Sequence, residues 1–141
     1  MAGYSGTPLA QKLGIRTGMR IFVSGSPQDY LKLVGRLPDD AAVVPRLTPT
    51  TNIAHIFCKK KAQLSASLGA LRSRLRDDGA IWVSWPKKSA NVPTDITEDV
   101  IRSLAIPLGL VDVKVCAVDD VWSGLKLVIR KEHRTGSRQA R

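Results

Sequence analysis

Cysteine, histidine and aromatic side chains are all scarce in this chain, and each shortage removes a class of chemistry. The two cysteines, Cys58 and Cys116, stand far apart among apolar neighbours. Buried, reduced thiols are expected rather than a disulfide framework, as in a reducing cytosol. With two histidines, His55 inside an apolar run and His133 near the C-terminus, no Cys/His metal spacing can be assembled, and no metal site is expected. His55 reads as a satisfied core or interface histidine rather than a base. Aromatic residues make up 5% of the chain, and none lies in the last segment, where stacking on nucleic-acid bases would need one. Long apolar runs are missing too: nothing approaches the roughly 18 residues of a membrane span, and the N-terminus lacks the pattern of a secretory signal. A cytoplasmic protein without a membrane partner is expected.

Acidic residues are also in short supply, 12 against 22 Lys and Arg, for a net charge of +10. The excess is uneven. Lys126, Arg130, Lys131, Arg134, Arg138 and Arg141 face only Glu132. Residues 132–141 carry no apolar periodicity and are expected to form a basic, disordered tail, leaving 1–131 as a single domain. At 141 residues with 43% hydrophobic content, the chain buries enough surface to fold without staples.

What is present is a series of apolar strands that end abruptly in polar residues. Arg20-Ile21-Phe22-Val23 runs into Ser24-Gly25-Ser26, Ile53 to Cys58 into Lys59-Lys60-Lys61, and Ala80 to Trp85 into Pro86-Lys87-Lys88-Ser89. Between them lie helical patterns. Leu9 and Leu13 mark a short first helix with Thr7 as its cap, Pro8 at its first position and Gly14 as its stop. A brief helix spans Pro27 to Val34, and Ala41 to Val44 is a short strand that Pro45 confines to an edge. Leu64, Leu68, Leu71 and Leu75 define a helix from about Lys60 to Arg76, with Arg72 and Arg76 on a solvated face. Asp95 and Glu98 resemble a capping box ahead of Ile96, Val100, Ile101 and Leu104. The closing β runs, Leu110 to Val118 and Gly124 to Arg130, are too close for a parallel crossover and must form a hairpin.

Strands alternating with helices, followed by a terminal hairpin, predict a three-layer α/β fold with a mostly parallel sheet of about six strands. That element order resembles a truncated methyltransferase-type, Rossmann-like fold over most of residues 15–131. In addition, Gly3-Tyr4-Ser5-Gly6-Thr7-Pro8-Leu9, Trp85-Pro86-Lys87-Lys88, Pro93-Thr94-Asp95, Val113-Lys114-Val115-Cys116 and Trp122-Ser123-Gly124 together resemble a small bacterial family of unknown function. The resemblance implies a bacterial protein of similar length, and no activity or catalytic residue comes with it.

Methyltransferases place a glycine-rich loop after the first strand and an acid near the end of the second, to hold the ribose hydroxyls. Here the corresponding segments are Ser24-Gly25-Ser26-Pro27 and Val44-Pro45-Arg46, so adenosylmethionine is not expected as a cofactor. Ser24, Ser26, Ser84 and Ser89 lack a recognisable activating base. What remains is a cationic rim. In a parallel sheet the strand ends share one edge, which would gather Ser24, Gly25, Ser26, Lys59, Lys60, Trp85, Lys87 and Lys88 into an anion-binding crevice. The expected function is therefore a non-catalytic or accessory domain that binds a small anionic ligand or an acidic protein surface there. One alternative is a nucleic-acid-binding module that uses Lys59 to Lys61, Arg72 to Arg76 and the tail. Another is a divergent adenosylmethionine-dependent methyltransferase with Ser24-Gly25-Ser26 as its cofactor loop.

Overall fold

The computed structural model describes residues 7–134. Two strands dictate the architecture: β3 (Ile53–Phe57) and β4 (Ala80–Pro86) are buried at every position. A strand with no polar face must be covered on both sides. They lie at the centre of a six-stranded sheet ordered β2-β1-β3-β4-β6-β5, where β1 is Arg20–Ser24, β2 Ala42–Val44, β5 Leu110–Ala117 and β6 Trp122–Ile129. The first four strands are parallel, and β6 runs antiparallel to both β4 and β5. The hairpin and the edge placement of the proline-terminated β2 follow the expectation from sequence.

Alternation along the central strands sorts the core into two layers. Ala54, Ile56, Ile81, Val83 and Trp85 pack with Leu64, Leu68 and Leu71 of α3 (Lys61–Arg74) and Ile101 and Ala105 of α4 (Glu98–Ala105). Ile53, Phe57 and Trp82 pack on the other face with Leu9 and Ala10 of α1 (Leu9–Lys12) and Tyr30 and Val34 of α2 (Tyr30–Val34). The result is the expected three-layer α/β arrangement.

Helix ends are where local sequence signals and tertiary contacts disagree. Thr7 does not cap α1; Pro8 occupies the N-cap position with no side-chain bond, because the burial of Leu9 and Ala10 fixes where the helix begins. The second helix starts at Tyr30 rather than Pro27, since the Asp29 carboxylate accepts from the Leu31 amide at 3.0 Å. Asp95 and Glu98 make no capping box. Thr97, next to the helix, accepts from the Val100 amide at 3.2 Å, while Asp95 accepts from the Lys61 amide at 2.6 Å. Asp95 thus satisfies a free donor at the start of α3, a helix far away in sequence. Glu98 pairs instead with Arg102 at 2.9 Å, and Arg102 also reaches Asp99 and Asp112, tying α4 to β5.

Lys131–His133 form a single 3-10 turn, and Arg134 Nε donates to the Ile129 carbonyl at 2.9 Å. The first three residues of the expected tail at 132–141 are therefore folded back, and 135–141 lie outside the described residues. Both cysteines are free; burial pushes the Cys58 thiol up to about 11. Among the described residues no helix is long and apolar enough to cross a membrane.

Candidate functional site

Because β1, β3 and β4 are parallel and in register, with Ser24 opposite Ile56 and Phe57 opposite Ser84, their C-terminal ends share one edge of the sheet. All eight residues singled out from sequence lie along that edge. Trp85, Lys87 and Lys88 share a groove of about 590 Å³ that Asn91, Thr94, Thr97 and Ser123 help to line. That volume falls within the roughly 300–1,000 Å³ usual for small-molecule sites.

The groove is built by backbone constraints at the end of β4. The Lys87 amide donates to the Val121 carbonyl at 2.8 Å. Lys88–Ala90 then form a 3-10 turn that Asn91 ends in the left-handed region at φ 56°. Trp85 is 7% exposed and belongs to the core beneath α4, so it supplies a floor rather than the upright aromatic wall its place before Pro86 suggests. The Trp85–Pro86 bond is trans. One acid lines the groove, Glu98, and its charge is engaged by Arg102.

The remaining expected residues stand outside this groove. The Lys59 carbonyl accepts from Thr94 Oγ1 at 2.6 Å and from the Asp95 amide at 3.3 Å. Lys59 therefore lies directly behind the groove wall, and its side chain and that of Lys60 are exposed. Ser26 Oγ is turned into a local bond to the Gln28 carbonyl at 2.6 Å. Gly25 adopts φ +76°, and a Cβ there would stand 2.6 Å from the Phe57 carbonyl oxygen. Its glycine is thus required for close contact between the β1 turn and the end of β3. Asn91, Thr94, Thr97 and Ser123 have no periodic signature. Ser123 arrives opposite Trp85 only because β6 pairs with β4.

Sequence offered no base near Ser84, yet the sheet supplies one. His55 Nε2 lies 2.7 Å from Ser84 Oγ, and His55 Nδ1 lies 2.7 Å from the Tyr30 hydroxyl. In the neutral ring one nitrogen donates and the other accepts, and the two hydroxyls can supply the complementary groups. The His55 ring stacks on Phe57 at 4.4 Å, with Tyr30 edge-on at 5.4 Å. His55 and Ser84 are both fully buried, so no substrate carbonyl can reach the hydroxyl. The chain is a satisfied polar network in the core, consistent with the reading of His55 from sequence.

Burial lowers the His55 pKa from its ordinary 6.5 to about 3, so the unfolded state binds the proton more readily between those values. This contribution to stability is complete above about 6.5 and is lost as pH falls towards 3, with a slope of up to about 1.4 kcal/mol per pH unit. In chemical denaturation between pH 7 and 4, a His55→Gln variant should show a shallower decline than the wild type. Parallel declines would remove His55 as the cause.

Among the described residues no group of His, Cys, Asp or Glu is arranged to hold a metal ion. Two arginines of the nucleic-acid alternative are engaged internally: Arg72 Nε donates to the Leu108 carbonyl at 2.8 Å, and Arg76 pairs with Asp78.

No protein-family model and no curated protein matches the chain. Solved structures do. A SAM-dependent methyltransferase from Aquifex aeolicus superposes with TM-score 0.58 at 12% identity, covering 86% of this chain and 88% of that one. TrmN from Thermus thermophilus gives 0.57 at 11%, covering 86% of this chain but 47% of TrmN, so this chain spans about half its length. The fibrillarin pre-rRNA processing protein of Methanococcus jannaschii gives 0.58 at 11%, covering 88% and 69%. The fold is that of the Rossmann-like methyltransferases. At these identities the likeness extends to the fold and not to the activity.

Within that fold the cofactor place is the switch point between β1 and β3, where the strand order reverses. Three features of this chain stand at that place. The Gly25 turn is pressed onto the Phe57 carbonyl, the Leu31 amide of the short α2 is taken by Asp29, and β2 leads into Pro45 and Arg46 rather than a carboxylate.

Proposed function

We propose that this protein is a methyltransferase-fold domain that binds a small anionic ligand in the groove beside the end of β4, in a non-catalytic or accessory role. The observation that carries this reading is the pairing of Lys87 and Lys88 with hydroxyl and amide groups around one groove, where the only acid is already paired. Ammonium groups raise the local potential, and Asn91, Thr97 and Ser123 can donate to oxyanion atoms. An acidic side chain of a partner protein would meet the same donors. The groove lies apart from the Ser24–Ser26 turn, so ligand binding here does not need adenosylmethionine.

A second reading, a divergent methyltransferase, draws on the likeness to a SAM-dependent methyltransferase. It places the cofactor at Ser24, Gly25 and Ser26 instead. A thermal-shift screen of nucleotides, phosphorylated metabolites and adenosylmethionine separates the two. A ligand at about a hundredfold excess over its Kd stabilises the folded state by about 2.7 kcal/mol. The proposed reading expects such a shift for a phosphorylated compound in the wild type and its loss in a Lys87→Ala, Lys88→Ala variant. A shift with adenosylmethionine alone, equal in both proteins, would favour the methyltransferase.

A further inference from the structure

At the edge of the sheet away from the β5–β6 hairpin, the connection from β2 to β3 is short. These parallel strands flank β1, and a crossover of that kind generally takes a dozen or more residues, most often including a helix. Residues 45–52 make the crossing without one. The face of β1 turned towards α3 is therefore thinly covered, and Phe22, opposite Val44 and Ala54 on the neighbouring strands, is only partly buried against the α3 layer.

A cleft of about 490 Å³ remains between this loop and the C-terminal half of α3. Phe22 lines it together with the buried side chains of Leu47 and Leu71. Two arginines from different elements line it as well, Arg46 from the loop after β2 and Arg74 from the last turn of α3. Both are exposed, and among the described residues neither side chain forms a hydrogen bond or an ion pair. Ser73 Oγ on the same wall is committed to the Ala70 carbonyl at 2.8 Å. Among the described lining residues, the side-chain donors left for a ligand are thus the two guanidinium groups. A cation in the last turn of a helix is favourable by itself, which accounts for Arg74; Arg46 has no such local role.

We propose that this cleft binds an alkyl carboxylic acid, with its chain against Phe22, Leu47 and Leu71 and its carboxylate at Arg46 and Arg74. Largely apolar walls with a few placed polar groups, around a volume of this size, are the usual make-up of a small-molecule site. The two oxygens of a carboxylate match the guanidinium fork, and a guanidinium is more weakly hydrated than an ammonium. An uncharged apolar ligand would leave the arginines unused, and a compact anion such as inorganic phosphate would leave the apolar floor in water. The cleft is separate from the Lys87–Lys88 groove at the end of β4, and the proposal stands independently of the function proposed there.

The test is isothermal titration calorimetry of the full chain with butanoate, hexanoate and octanoate, and with octan-1-ol as the uncharged counterpart. Each methylene buried should tighten binding about fourfold, so affinity should climb by roughly tenfold or more at each step of the acid series. An Arg46→Ala, Arg74→Ala variant should bind octanoate at least about tenfold more weakly, with its binding of octan-1-ol unchanged. Ala70→Trp, at an exposed position on the cleft wall, should block both ligands. These substitutions lie outside the core, so both variants should melt close to the wild type. The Lys87→Ala, Lys88→Ala variant should bind octanoate as the wild type does. The proposal is overturned if octanoate does not bind, if affinity does not rise with chain length, if the arginine variant or Ala70→Trp binds octanoate like the wild type, or if only the Lys87/Lys88 variant loses it.

Discussion

Trp82→Ala is expected to destabilise the protein by about 4 kcal/mol, the range for removing a buried aromatic from a packed core. Trp82 is fully buried in the layer that joins α1 to the sheet, with Leu13, Val118 and Trp122 in the same cluster. Its indole Nε1 donates to the Leu13 carbonyl at 3.0 Å, so the ring both fills the layer and holds the last turn of α1. Gly124 on β6 makes room for it: a Cβ there would lie 3.2 Å from Trp82 Cε3. Truncation leaves a cavity and a partnerless carbonyl. Trp82→Phe keeps most of the volume and loses the hydrogen bond, so about 1–2 kcal/mol is expected. Urea unfolding at neutral pH measures both. If Trp82→Ala cost less than Trp82→Phe, the ring would not be the support of α1.

Gly25→Ala should be nearly as damaging, at about 3 kcal/mol, although it adds one methyl group. Two effects combine. At φ +76° any L-residue is strained. The new methyl would also stand 2.6 Å from the Phe57 carbonyl oxygen, a backbone atom held in the sheet by β3 pairing with β1 and β4. A flexible side chain could swing away, but this carbonyl cannot move without disturbing the strand. Urea denaturation again measures the effect. Gly18, at φ +79° with nothing within 4 Å, is the control: Gly18→Ala carries the strain without the collision and should cost about 1 kcal/mol. Equal losses at the two positions would show that the contact between the β1 turn and β3 does not matter.

The architecture was legible because it rests on short-range patterns. Uninterrupted apolar runs at 53–57 and 80–85 require cover on both faces, and the few residues between β5 and β6 permit only an antiparallel return. The site was less legible because it rests on partnerships across the chain. The spacing of Asp95 and Glu98 suggests a cap for the helix that follows, whereas the docking of that loop on the Lys59 carbonyl brings the Asp95 carboxylate to the Lys61 amide. Ser84 and His55 show no shared motif, and meet because β3 and β4 are neighbours. The strand ends share one edge because β1, β3 and β4 are parallel. Their division into a groove at Lys87 and Lys88 and a closed turn at Gly25 depends on the path of residues 88–97, a loop with no repeating pattern.

The fold also explains why strong local features do not all become function. Glu98 and Asp99 in the first turn of α4 are held by Arg102, and Arg72 is bonded to the Leu108 carbonyl. Partly exposed pairs of this kind add little to stability. Their consequence is to hold these side chains in place within the fold.

The groove is tested most directly by amide chemical-shift mapping of the full chain titrated with inorganic pyrophosphate, a probe that carries the proposed ligand chemistry without a nucleoside. Binding in the groove predicts progressive shifts at Lys87, Lys88, Asn91, Thr94 and Ser123, with Ser24 to Ser26 unmoved. Shifts confined to Ser24–Ser26, or none in the groove at saturating probe, would contradict it.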